Sequence, residues 1–250
     1  MWRENRGVPS SRAAQLEAVR GRTPDYDMTL DKQETRNLYR KRARRYDVAV
    51  QFLRLLGLRI NRYRQDTIAS LHLRPGNVAV ELGCGTGLNF QYVRRFIGPS
   101  GKLIGVDLTD SMLHVASARV EREGWANIEL VEADIAQWEV PQDVHGVYST
   151  LALTLVPEYD DVIERAGRRL ASGGRLAVFD MKEPHGWPHW LVRFAAWLNR
   201  PFGVSLELAD RHPWESIRRH LVEVQFREYY GGALYLSVGE RPSSRPFPAP

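Results

Sequence analysis

Glu81-Leu82-Gly83-Cys84-Gly85-Thr86-Gly87 puts an acid ahead of three alternating glycines. The motif follows the apolar run Val78-Ala79-Val80 and precedes the helical pattern Phe90–Ile97. Glycines here let the backbone turn sharply and approach a ligand where a Cβ would collide. A dinucleotide fingerprint needs G-x-G-x-x-G, but Leu88 stands where its third glycine would fall. The spacing is G-x-G-x-G instead. Asp107 follows Gly87 by twenty residues and ends a second apolar run, placed to accept hydrogen bonds from ribose hydroxyls. A glycine-rich turn alone is equally an ordinary tight βα loop; the downstream acid is what suggests a nucleoside ligand.

These residues need a scaffold, and the chain's rhythm supplies one. Strands are expected at Val78–Leu82, Leu103–Val106, Ile128–Val131, Val144–Leu151 and Leu176–Phe179. Helical patterns separate them at Phe90–Ile97, at Ser111–Glu123 and through Val162 and Leu170. Alternating strands and helices mean βαβ units and a parallel sheet covered on both faces. Val222–Tyr230 and Ala233–Gly239, joined by Gly231-Gly232, read as a closing hairpin. The expected fold is therefore α/β, doubly wound and Rossmann-like, with seven strands, the last antiparallel, and an N-terminal helical lid. Its parts are a flexible leader (1–30), a basic helical lid (31–74), the main domain (75–240) with a helical insert near 186–220, and a flexible tail (241–250).

The net charge of +5 is uneven. Asp31–Arg74 holds twelve Lys/Arg against four Asp/Glu, a local +8, so the remainder sums to −3. No apolar stretch of about 18 residues is present to span a bilayer, and Met1–Arg6 lacks the core of a signal peptide. The lone Cys84 excludes an internal disulfide framework and a multi-thiolate metal site. Together these suggest an intracellular protein.

Val80-Glu81-Leu82-Gly83-Cys84-Gly85-Thr86-Gly87 resembles the first motif of class I S-adenosylmethionine-dependent methyltransferases. Asp107 in Gly105-Val106-Asp107-Leu108-Thr109 resembles that family's ribose-binding acid, and Ala133-Asp134-Ile135 its adenine-binding step. The resemblance spans about residues 75–240 and implies S-adenosylmethionine as cofactor, with S-adenosylhomocysteine as product. It implies cofactor contacts from Glu81, Gly83, Cys84, Gly85, Thr86, Gly87, Asn89, Asp107, Leu108, Met112, Asp134, Ile135 and Thr150. Within the class, Tyr39, Tyr46-Asp47, Leu153–Pro157 and Tyr230–Tyr235 are similar to pieces of ubiquinone-type (UbiE-like) and bacterial phospholipid or betaine-lipid N-methyltransferases. On that resemblance Tyr46 closes over the cofactor and Tyr39 faces the entrance.

The acceptor is expected beyond the carboxyl ends of the strands, with Asp180, His185 and Tyr230 as candidate contacts. A lipid head-group amine fits the cationic amphipathic segment around Arg40, Lys41, Arg44 and Arg45, a segment suited to peripheral contact with an anionic membrane. The same segment also reads as a solvated face of a packed helix. The alternative acceptor is a quinone-like or other hydrophobic small molecule, methylated at carbon or oxygen. No RNA-binding module is recognisable, and a non-catalytic cofactor binder would be expected to show a damaged motif. His185 and His189 lack a third partner for a metal. His145 reads as a packed residue, and Trp187, Trp190, Trp197 and Trp214 read as packing or pocket lining.

Overall fold

The computed structural model describes residues 59–188 and 211–243, with positions 190, 192, 208 and 210. The expected leader, the lid up to residue 58 with Tyr39 and Tyr46, most of the insert, and the tail beyond 243 lie outside them.

The described elements run α1 (Ile60–Ser70), β1 (Val78–Leu82), α2 (Phe90–Ile97), β2 (Lys102–Asp107), α3 (Asp110–Arg122), β3 (Ile128–Glu132) and β4 (Val144–Thr150). A short 3₁₀ turn (Leu153–Leu155), α4 (Tyr159–Arg169), β5 (Leu170–Met181), α5 (Pro213–His220), β6 (Val222–Tyr229) and β7 (Leu234–Glu240) complete them. The strands form one sheet in the order β3-β2-β1-β4-β5-β7-β6. β1 to β5 are parallel, and β7 lies antiparallel between β5 and β6, as expected for the final strand. No described helix is long and apolar enough to cross a membrane.

β1 shows why the sheet is two-sided. Ala79 to Leu82 are all buried, which requires cover above and below. On one face Ala79, Leu103, Tyr148, Ala177 and Phe179 meet Ile68 of α1 and Leu71 just after it, Phe90, Val93 and Ile97 of α2, and Leu113 and Ala116 of α3. On the other, Val80, Ile104, Val147, Leu176 and Val178 meet Val162, Ile163 and Ala166 of α4 and Ile217 of α5.

The structure adjusts two boundaries. α4 stops at Arg169, and β5 begins at Leu170, earlier than the expected Leu176; the β4–β5 register shifts beside Val144 and Gly146. Gly173 takes a φ of +73° within that irregular start. The described helix of the basic segment, α1, packs on the sheet. Its Tyr63 ring lies 5.8 Å from Phe179, near the carboxyl end of β5. Its Ser70 carbonyl accepts from Arg175 Nη1 at 2.9 Å, nearer the amino end. α1 therefore runs antiparallel to β5, and the chain enters at Arg59 on the sheet's carboxyl edge.

Phe90, fully buried, fills space that two glycines leave open. A Cβ at Gly87 would lie 2.4 Å from its ring and one at Gly105 3.0 Å. Phe90→Ala should lower stability by about 3–5 kcal/mol in urea denaturation. A loss below about 1 kcal/mol would show that this packing does not support the glycine loop.

Candidate active site

Strand order dictates where a ligand can sit. β1 leads through α2 toward β2 on one face, whereas β4 leads through α4 toward β5 on the other. The crevice opens where the winding reverses, between the carboxyl ends of β1 and β4. The glycine loop lies there. Gly83 N and Cys84 N both donate to Val106 O, at 2.9 and 3.0 Å, and Gly87 N donates to Cys84 O at 3.0 Å. Gly83, Gly85 and Gly87 all have positive φ, the left-handed region that suits glycine. A Cβ at Gly83 would strike Ala152 at 2.5 Å, while one at Gly85 would meet nothing within 4 Å. The loop is thus packed tightly at its foot and open at its middle. Thr86 is buried, with its carbonyl accepting from Arg119 Nε at 3.0 Å.

The half-buried Asp107 holds the loop from the next strand. Its Oδ2 accepts from Gly85 N at 2.8 Å and its Oδ1 from Thr109 N at 2.9 Å. Burial raises its pKa, and these backbone donors counter the rise. Ala133 N donates to Asp107 O at 3.0 Å, which brings the third motif alongside. Asp134 turns the chain after β3, its Oδ1 accepting from Ala136 N at 2.9 Å. Met112 and Ile135 are buried nearby in sequence, and Leu108 is half-buried.

On the β4 side the site is polar and buried. Glu81 accepts from Asn89 Nδ2 at 2.5 Å and from the Tyr148 hydroxyl at 2.7 Å. Asn89 Nδ2 also donates to Thr150 Oγ1 at 2.9 Å. Burial pushes the Glu81 carboxyl up to about 7, against its two hydrogen bonds and the Arg64 charge. The Cys84 thiol is driven well above its ordinary value by burial and by Asp107 and Glu81, so it stays protonated. Two buried atoms here lack hydrogen-bond partners, Asn89 Oδ1 and Arg64 Nε. An open cradle at Gly85, an acid facing it and orphaned polar atoms fit a small nucleoside bearing a zwitterionic arm.

The acceptor side begins where β5, α1 and the hairpin meet. Tyr63 stacks on Tyr229 at 4.1 Å between ring centres and meets Tyr230 edge-on at 5.9 Å. Burial and Tyr230 together push the Tyr63 hydroxyl up to about 12. Tyr230 has a φ of +53°, and its hydroxyl accepts from Arg59 N at 3.0 Å. His185 is exposed, with Nε2 3.1 Å from Lys182 Nζ, and its backbone N donates to Gly231 O at 2.8 Å. A Cβ at Gly231 would come within 3.1 Å of Trp187, and one at Gly232 within 3.1 Å of His185.

Asp180 sits elsewhere. It is fully buried on the opposite face, with Oδ2 accepting from Thr154 N at 3.0 Å and Oδ1 from Met181 N at 2.8 Å. Those bonds brace the turn after β4 and leave the carboxylate facing no open surface. Burial raises it to about 6. His145, half-buried, accepts from Val78 N through Nδ1 at 3.2 Å and so secures the start of β1. His189 and Trp197 lie outside the described residues. Sequence reasoning missed Tyr148 and Arg64. Arg64 left a signal, a charge midway between Ile60 and Ile68 on the buried side of one helix.

Comparison with known proteins gives concordant results. A demethylmenaquinone methyltransferase of Anoxybacillus flavithermus is 24% identical over 73% of this chain and 86% of its own length. One from Listeria monocytogenes is 27% identical over 57% of this chain; the match spans 61% of that relative. Among solved structures, a SAM-dependent methyltransferase from Aquifex aeolicus superposes with a TM-score of 0.54 at 18% identity, covering 71% of this chain and 89% of its own. The Haloferax volcanii complex of the Trm112 methyltransferase activator with a putative methyltransferase gives 0.65 at 17% identity, covering 85% and 99%. Geranyl diphosphate C-methyltransferase of Streptomyces coelicolor gives 0.58 at 14% identity, covering 72% and 76%. These three establish the fold. The profile of the ubiE/COQ5 methyltransferase family matches residues 27–205. With the glycine loop, Asp107 and Asp134 in their places on that fold, the chain belongs to the ubiE/COQ5 methyltransferase family and is an S-adenosylmethionine-dependent methyltransferase.

Proposed function

We propose that this enzyme methylates a ring carbon of a reduced, hydroxylated quinone carried on an apolar chain, an acceptor of the demethylmenaquinol kind. The observation that carries the reading is the aromatic wall of Tyr63, Phe179, Tyr229 and Tyr230 at the sheet's carboxyl edge. Flat rings pack well on such a wall, in offset or edge-on contact. The relatives named demethylmenaquinone methyltransferases support the same choice. An amine head group has less support. Asp180, the carboxylate expected to hold an ammonium, is buried and bonded, and the basic segment read as a membrane contact lies mostly outside the described residues.

The cofactor supplies an electrophilic methyl on a sulfonium, so the protein's task is alignment and exclusion of water. A quinone ring is electron-poor. Its quinol becomes a carbon nucleophile once a hydroxyl proton is drawn away. The S–CH3 bond breaks as the C–C bond forms, and the ring carbon then loses its proton. On this reading Tyr230 and the exposed His185 flank the acceptor ring at the hairpin, where either can hydrogen-bond a ring hydroxyl.

Three outcomes test these statements. Demethylmenaquinol in detergent micelles should be methylated with equimolar S-adenosylhomocysteine, while the oxidised quinone and phosphatidylethanolamine vesicles should not react. Methylation of the vesicles alone would overturn the quinol reading. In calorimetry, Asp107→Ala should weaken S-adenosylmethionine binding roughly 10- to 100-fold, the worth of charge-assisted hydrogen bonds.

The third outcome concerns pH. The folded Glu81 keeps its proton up to about 7, whereas the unfolded chain releases it near 4.5. The folded state therefore binds more protons in that window, and stability falls as pH rises through it, by about 3 kcal/mol in all. Denaturant titrations of Glu81→Gln should show a flatter slope between pH 5 and 7; an unchanged slope would remove Glu81 as its source.

A further inference from the structure

α1 carries a charge where its spacing calls for an apolar residue. Ile60, Arg64 and Ile68, spaced four apart, share its buried side, and Arg64 is only 3% exposed. Its Nε has no hydrogen-bond partner among the described residues. Burying a guanidinium is costly unless an anion joins it. Glu81 lies within its electrostatic reach, but both Glu81 oxygens already accept hydrogen bonds from Asn89 and Tyr148. Asn89, which donates to that carboxylate, is 1% exposed, and its Oδ1 also lacks a partner among the described residues. An orphaned cationic donor and an orphaned neutral acceptor therefore stand near one carboxylate.

The strand order says which part of the cofactor reaches them. Asp134 follows β3, Asp107 ends β2 and the glycine loop follows β1, so the adenosine side of the site extends from β1 toward β3. The other end of the molecule must extend the opposite way, toward β4 and α1. That end is an α-amino acid, and its carboxylate is the only anionic group on S-adenosylmethionine. We propose that Arg64 binds the α-carboxylate of the cofactor's methionine arm, while Asn89 Oδ1 accepts from its ammonium. Guanidinium suits a carboxylate because its N–H groups match the two oxygens in one plane. Arg64 then selects the intact amino-acid arm, and the helix that precedes the sheet becomes part of the cofactor site.

The test compares S-adenosylmethionine with its decarboxylated form, which keeps the ammonium and lacks only the carboxylate. Binding is measured by calorimetry on the full chain without acceptor, so the result is independent of the quinol reading. Wild type should prefer the intact cofactor by roughly 10- to 100-fold. Arg64→Met should abolish that preference by weakening the intact cofactor, leaving the decarboxylated form within about threefold of its wild-type affinity. Arg64→Lys should restore part of the preference, because it returns the charge without the planar fork. Equal losses for both ligands, or no loss for either, would overturn the proposal and leave Arg64 as a partner of Glu81. If Arg64→Met does not fold, the wild-type preference and Arg64→Lys still decide: no preference in wild type overturns it.

Discussion

Glu81 is a carboxylate buried at the point where two strands and a helix converge, and the surrounding structure is arranged to tolerate it. Removed from water, it must have its lone pairs filled, and two elements fill them: Asn89, at the start of α2, and Tyr148, its cross-strand neighbour on β4. The bond to Asn89 fixes where α2 begins, and so how far the glycine loop can travel between β1 and that helix. The bond to Tyr148 ties β1 to β4 at the reversal of winding. Asn89 passes the constraint on to Thr150. The crevice between β1 and β4 is therefore held by polar bonds on one wall and by Phe90 packing beneath the loop.

A second buried carboxylate, Asp180, plays the corresponding part on the opposite face, accepting from the backbone N–H groups of Thr154 and Met181. The contrast separates frame from site. Asp180 clamps two backbone N–H groups and shows its oxygens to no open space. Asp107 also accepts from backbone, yet it remains half-buried beside the open middle of the glycine loop. Its hold on Gly85 sets the loop's shape in advance, so little rearrangement is needed when a ligand arrives.

The glycine loop was legible in sequence because backbone geometry demands particular residues there. Gly83, Gly85 and Gly87 adopt conformations that suit glycine, and hydrophobic runs reveal the strands that Asp107 ends and Asp134 follows. The limits of β1 and α2 follow the pattern residue for residue. The early start of β5 was not legible, since Ala171-Ser172-Gly173-Gly174 carries no strand pattern and falls in the register shift between the Leu170 and Arg175 pairings with β4. Asp180 looked like a site residue because a carboxylate at a strand end carries no mark of which face it joins. Arg64 was passed over for the opposite reason: it lies in a basic segment, where one more arginine looks like surface charge. Its periodicity with Ile60 and Ile68 was the better guide.

The direction of α1 connects the two halves of the site. Because the helix runs antiparallel to β5, its first turn stands at the carboxyl edge, where Arg59 N donates to Tyr230 on the hairpin. The same turn carries Tyr63 into the aromatic wall, and the next carries Arg64 toward Glu81. One short helix thus sets Tyr63 in the aromatic wall and Arg64 within electrostatic reach of Glu81 at successive positions. On the proposed quinol reading, a hydrophobic acceptor at this edge would meet the aromatic wall of Tyr63, Phe179, Tyr229 and Tyr230.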